Sequence, residues 1–247
     1  MDGEAVTNIA LLAAQAETKE FNGIPYTKSP YYPMGVVHED VVSFTSLNSF
    51  CEFIAKNPQN LDLTGAIITV NSNFTVSLLS KPNPLDGKRT VYANAQRHGF
   101  QSFNFNQAYD PEDFIVALKS FFVREGTDWD DVFTLVKKVR IEDGVEMNDD
   151  GISMNVTIKK GVSSASLDRV TKQTDHILRP YRIFPECIQP ESIFFLRIIP
   201  CGDKSFRVGL YETDGGKWKL DASKNIREYI LSELDANQIQ TSIPVYC

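Results

Sequence analysis

The chain has 247 residues, 42% of them hydrophobic and 23% charged, with a net charge of −7. This is enough chain to bury a substantial core, and its globular composition argues against disorder over most of its length. The acidic balance argues against a protein that grips a phosphate backbone, which needs a basic face. No apolar run reaches the about 18 residues that a membrane-spanning helix requires.

The start, Met1-Asp2-Gly3-Glu4, lacks the basic opening of a secretory signal, so a cytoplasmic location is expected. Residues 4–20 carry Val6, Ile9, Leu12, Ala13 and Ala16 at helical spacing, with Asn22-Gly23 as the stop. Residues 24–37 combine three prolines with Tyr26, Tyr31 and Tyr32, which predicts an extended edge or arm. Those tyrosines suit either a contact with another chain or a cover for the core.

Val41 to Phe44 reads as a strand. Thr45 or Ser46 opens a helix with Leu47, Phe50, Cys51 and Ile54 on one face, and Asn57-Pro58 stops it. Ala66 to Val70 and Phe74 to Leu79 form a hairpin, and Thr90 to Ala95 and Gln101 to Asn106 continue the β pattern. Asp110-Pro111-Glu112-Asp113 starts a helix that buries Phe114, Ala117, Leu118 and Phe121 and ends at Gly126. Asp128 caps a further helix from Trp129 to Val139, with Val132, Phe133 and Val136 inward.

Ile141 to Met147 and Ile152 to Lys159 are predicted strands, and Gly161 to Ser166 is the candidate linker. Ser192 to Ile199 and Ser205 to Glu212 flank a turn at Pro200, Gly202 and Asp203. Thr213-Asp214-Gly215-Gly216 is a second turn. Trp218 and Leu220 alternate with Lys217 and Lys219, which predicts a third strand, closed by a helix that Asp221 or Ser223 caps. The expected fold class is α+β, mainly antiparallel β-sheet with helices packed on one side. Residues 1–160 form an N-terminal α+β region and 167–247 a C-terminal meander plus helix, packed as one continuous unit.

The four cysteines, Cys51, Cys187, Cys201 and Cys247, form no CxxC pair and match no zinc spacing, so reduced structural thiols are expected. Asn148-Asp149-Asp150-Gly151 lacks the ligand spacing of a calcium loop. His38-Glu39-Asp40 sits on an extended segment, where neighbours alternate faces and cannot converge. His98 is expected on a surface loop. Asp175-His176 could orient an imidazole, but no nucleophile is identifiable. No catalytic residue, metal or cofactor is therefore predicted, and the chain is more simply a non-enzyme. The candidate binding residues are Arg179, Tyr181, Arg182, Arg197, Arg207 and Trp218. Arginines among aromatics can hold phosphates or stack bases, or make a protein interface. The same arginines can instead pair with Glu186, Glu191 and Glu212 on a solvated face.

The string Arg179-Pro180-Tyr181-Arg182, Phe184-Pro185-Glu186, Gln189-Pro190-Glu191-Ser192 and Phe195-Leu196-Arg197 resembles the C-terminal part of the YfdQ-like phage and prophage proteins, a family of unknown function. Glu212-Thr213-Asp214-Gly215-Gly216-Lys217-Trp218 and the final helix are similar too. The resemblance implies a phage-derived protein inside a bacterial host cell, and it carries over no cofactor or catalytic residue. The expected function is that of a non-enzymatic accessory protein binding a host or phage protein, in anti-defence or recombination support, with self-association left open. The alternative is a nucleotide or single-stranded nucleic-acid binder that uses the arginine and aromatic face.

Overall fold

The computed structural model describes residues 18–21, 24–27, 40–72, 74–84, 86–97, 99, 101–141, 145–149, 154–158, 169–172, 175–201, 205–237 and 243–247. The chain divides into two compact units, Met1–Asp40 and Val41–Cys247. In the first unit, β1 (Thr18–Phe21) pairs antiparallel with β2 (Ile24–Thr27). The helix expected over 4–20 is thus corrected at its end, where Thr18 to Phe21 are strand; residues before Thr18 lie outside the described residues. Asn-Gly between two extended tracts is a hairpin signal as much as a helix stop, and here pairing with Ile24–Thr27 prevails.

The larger unit holds two five-stranded sheets. Sheet I has the order β15–β4–β5–β6–β3, from β3 (Val42–Phe44), β4 (Ile67–Val70), β5 (Val76–Leu79), β6 (Val91–Ala95) and β15 (Val245–Tyr246). Its central strands are antiparallel, and the two outer ones run parallel to their neighbours. Sheet II has the order β7–β14–β13–β12–β8 and is antiparallel throughout. Its strands are β7 (Ala108–Tyr109), β8 (Phe122–Val123), β12 (Asp175–Pro180), β13 (Ser192–Pro200) and β14 (Phe206–Glu212). A third, three-stranded antiparallel sheet consists of β9 (Val145–Asp149), β10 (Met154–Ile158) and β11 (Arg169–Lys172). The fold is α+β with mainly antiparallel sheet.

Helices α1 (Leu47–Lys56) and α4 (Trp218–Ala236) share a core with sheet I. Ser46 caps α1 by accepting the Ser49 N–H at 3.1 Å, and Asn57, at φ 40°, closes it in the left-handed region. The buried set Leu47, Phe50, Cys51 and Ile54 keeps i, i+3, i+4, i+7 spacing, so one stripe meets the sheet. Helix α4 does the same with Ala222, Ile226, Ile230 and Leu234.

Helices α2 (Pro111–Phe121) and α3 (Trp129–Ile141) share a second core with sheet II, through Phe114, Leu118, Val132 and Val136 against Leu178, Phe194, Leu196, Val208 and Leu210. Helix α2 ends at Phe121 rather than Gly126, because Phe122 is extended and pairs with Pro180. Asp128 holds the N-cap position of α3, where its carbonyl accepts the Val132 N–H at 3.1 Å, but its side chain bonds elsewhere. Its carboxylate accepts the Ile177 N–H at 2.8 Å and its N–H donates to the Ile177 carbonyl at 3.0 Å, while Thr127 Oγ1 accepts the Trp129 N–H.

Three further expectations need correction. Gln101 to Asn106 is not a strand; Phe103 and Phe105 turn into the second core and Asn104 N–H donates to the Tyr109 hydroxyl. Ile141 belongs to α3, and β9 starts only at Val145. Trp218 to Leu220 is the first turn of α4 and not a strand. Alternation over four residues is outweighed by Ala222, Ile226, Ile230 and Leu234, which continue at four-residue intervals from Trp218. The turn ahead of it stands, with Gly215 and Gly216 at φ 65° and 83° and Asp214 Oδ1 accepting the Gly216 N–H. The candidate linker at 161–166 and the turn residues Gly202 and Asp203 lie outside the described residues.

Candidate functional site

Sheet II has one face turned to the helices and one turned away. On β12 the buried residues are His176, Leu178 and Pro180, and on β13 they are Ser192, Phe194, Leu196 and Ile198. The opposite parity carries Asp175, Ile177 and Arg179 on β12, Ile193, Phe195, Arg197 and Ile199 on β13, and Arg207, Gly209 and Tyr211 on β14. Cross-strand pairing sets Ile177 beside Ile193, Phe195 beside both Asp175 and Tyr211, and Ile199 beside Arg207. Ile177 and Ile193 are 44% and 43% exposed. A mixed row of isoleucine, aromatic and arginine side chains therefore faces outward from a rigid sheet.

The candidate binding residues fall into two groups. Arg179, Arg197 and Arg207 belong to the outer face. Arg179 pairs with Glu191, Arg207 lies 3.4 Å from Asp110, and Arg197 sits over the Tyr211 ring at 5.9 Å. Each of these groups is exposed enough to keep water, so the ion pairs are weak and exchangeable.

Arg182 and Trp218 form a different object, an internal joint. The Arg182 side chain is 7% exposed. Its guanidinium lies 4.1 Å from the Trp218 ring centroid and 4.5 Å from that of Phe105, donates to Ser192 Oγ at 3.2 Å and pairs with Glu212. Burial pulls its pKa down, and the Glu212 carboxylate pulls it back up. Trp218 packs on the first core and Phe105 on the second, so this cation ties the two cores together. Tyr181 works through its backbone: its N–H donates to the Phe121 carbonyl and its carbonyl accepts from Arg97 Nη2 at 3.1 Å. Arg97 and Arg182, with Phe74, Gln96 and Phe184, line a cleft of about 270 Å³ beside the joint.

Two glutamates proposed as partners for the arginines take that role, Glu191 for Arg179 and Glu212 for Arg182. Glu186 instead accepts the Leu47 N–H at 3.0 Å, at the positive end of α1. Asp175 and His176 diverge, the first exposed and the second 5% exposed, as neighbours on a strand must. His38, Glu39 and His98 lie outside the described residues, and Asp40 is exposed.

Among the described residues no group of three or more His, Cys, Asp or Glu side chains could hold a metal. None of the described helices is long and apolar enough to cross a membrane. Sequence reasoning missed Ile177 and Ile193. Asp-His-Ile-Leu-Arg-Pro over 175–180 sets two polar residues before two apolar ones, so the residue types do not alternate and only their burial does. Compared with protein-family models, curated proteins and solved structures, the chain matches none of them.

Proposed function

We propose that this is a non-enzymatic binding protein whose outward face of sheet II docks onto another protein. The observation that carries the reading is the half-exposed row Ile177, Ile193, Phe195, Ile199 and Tyr211 set among Arg179, Arg197 and Arg207. Aromatics and arginines on a preordered scaffold are the residue types that dominate protein interfaces. The resemblance of residues 179–218 to YfdQ-like proteins supports a phage or host protein as the partner, in an accessory role inside the bacterial cell. A photo-cross-linking residue at position 193 tests this. It should capture a discrete adduct in cells carrying the gene, while the same residue at the exposed α2 position 116 should not. Identical patterns from both positions would refute the reading.

The cleft lined by Arg97, Arg182 and Phe74 favours a second reading, binding of a nucleotide or of single-stranded nucleic acid by cation and ring together. Trp218 stands at the joint and reports on it. Titration with mononucleotides and thymidine oligomers should change its emission, with the effect weakened by salt. Unchanged emission throughout would exclude this alternative.

A further inference from the structure

At one end of the outward face lies a groove of about 250 Å³ lined by Ile177, Ile193, Ser192, Glu191, Asp214, Lys217 and Asp221. Its apolar part is the Ile177–Ile193 cross-strand pair, and the first turn of α4 supplies the opposite wall. Three carboxylates and one ammonium line it. Glu191 pairs with Arg179, and Asp221 lies 3.6 Å from Lys224. These are exposed pairs in which an incoming cation can replace the resident one at little cost.

We infer that this groove receives one apolar side chain carried on a basic segment of a partner protein. The inference rests on the docking reading above and adds the chemistry of the partner. The groove is of a size to hold one aliphatic or aromatic side chain, and burying it against Ile177 and Ile193 supplies the attraction. The carboxylate rim selects lysines or arginines on either side of that anchor and speeds their approach. The same rim disfavours a phosphate backbone or an anionic lipid surface, because like charges would be brought together.

The test uses the full chain and fluorescein-labelled short peptides. One carries a central leucine flanked by lysine and arginine, a second has serine for the leucine, and a third has glutamate for each basic residue. The basic leucine peptide should bind saturably, with each replacement weakening it by about ten-fold or more. Ile193→Thr keeps a β-branched residue in the strand while trimming the apolar wall, and should weaken binding to a similar degree. Asp214→Asn with Asp221→Asn should remove most of the salt dependence, and Asn at 214 keeps an acceptor for the Gly216 N–H. If the glutamate peptide binds as well as the basic one and Ile193→Thr abolishes both, the inference fails and the docking reading stands. Should no peptide bind while position 193 still cross-links a partner, the inference again fails alone. If neither happens, both fall. A dimer of this chain that Ile193→Thr dissociates would also overturn it, since the occupant is then a second copy.

Discussion

Replacing Arg182 by methionine should cost more stability than any change at the exposed arginines. The substitution keeps an unbranched apolar stem between Trp218 and Phe105 but removes the cation that pairs with Glu212 and donates to Ser192. Removing one partner of a buried ion pair costs about 3–5 kcal/mol. Glu212 keeps 28% of its side chain in water, which places the loss near the lower end. The cation–ring contacts bring the total to about 3–4 kcal/mol. With a urea slope of about 2 kcal/mol per molar, the midpoint falls by about 1.5–2 M. Far-ultraviolet circular dichroism measures the shift for the whole chain. Trp218 emission in a Trp129→Phe background measures it at the joint. Arg182→Met with Glu212→Gln should recover at least about 1 kcal/mol over the single variant, because the stranded charge is gone. A single-variant loss below about 1 kcal/mol, or a double variant no better than the single one, would refute the account of Arg182 as the tie between the cores.

Other outcomes follow from individual contacts. Gly209→Ala should destabilise by about 1–3 kcal/mol in chemical denaturation, since its Cβ would sit 2.7 Å from the Gln107 carbonyl oxygen and 3.0 Å from Tyr211 Cε2. Cys51 and Cys187 are both pushed up to about 12, first by burial, then by neighbouring groups that include Glu186. At about pH 8 a disulfide reagent should therefore modify Cys201 and Cys247 in the native protein and reach the other two thiols only after denaturation. The Asp62 carboxyl is lowered from 3.8 to about 2, chiefly by the Lys81 ammonium that donates to it at 2.7 Å and then by the Thr64 N–H. Its contribution is therefore present above pH 3.8 and lost as pH falls through about 2. NMR titration of Lys81→Met should show Asp62 ionising closer to the ordinary carboxylate range.

Much of the architecture was legible wherever the chain carried a long, consistent period. Leu47 to Ile54, Phe114 to Phe121 and the strands around Phe194 and Leu210 sit where their spacing put them. The reading failed where a short pattern met a longer one, as at Trp218 to Leu220. It also failed where an element of two residues exists only through its pairing partner, as at Phe122–Val123 and Val245–Tyr246. Neither dipeptide has a period of its own, so only tertiary pairing makes it strand. The six candidate binding residues were chosen by type, and type cannot distinguish a cation facing water from one enclosed by rings. Arg197 and Arg182 differ in that respect because odd positions of β13 face outward, whereas Arg182 follows β12 into the space between the two cores. The Ile177–Ile193 pair is not legible in the sequence because it depends on register across a long connection, the two residues standing 16 positions apart in the chain.

Sheet I is assembled from distant stretches, with β3 to β6 early in the chain and α4 and β15 late. During synthesis the early strands and α1 leave the ribosome long before α4, the second helix of their core. Their apolar side, with Ile68, Val76 and Leu78, is fully closed only once translation has passed Leu234, Ile243 and Val245. Sheet II is encoded wholly within that interval and can consolidate first. A chain cut anywhere between Ala95 and Trp218 would part β3 to β6 from α4 and β15, and so leave its first fragment with an open greasy surface.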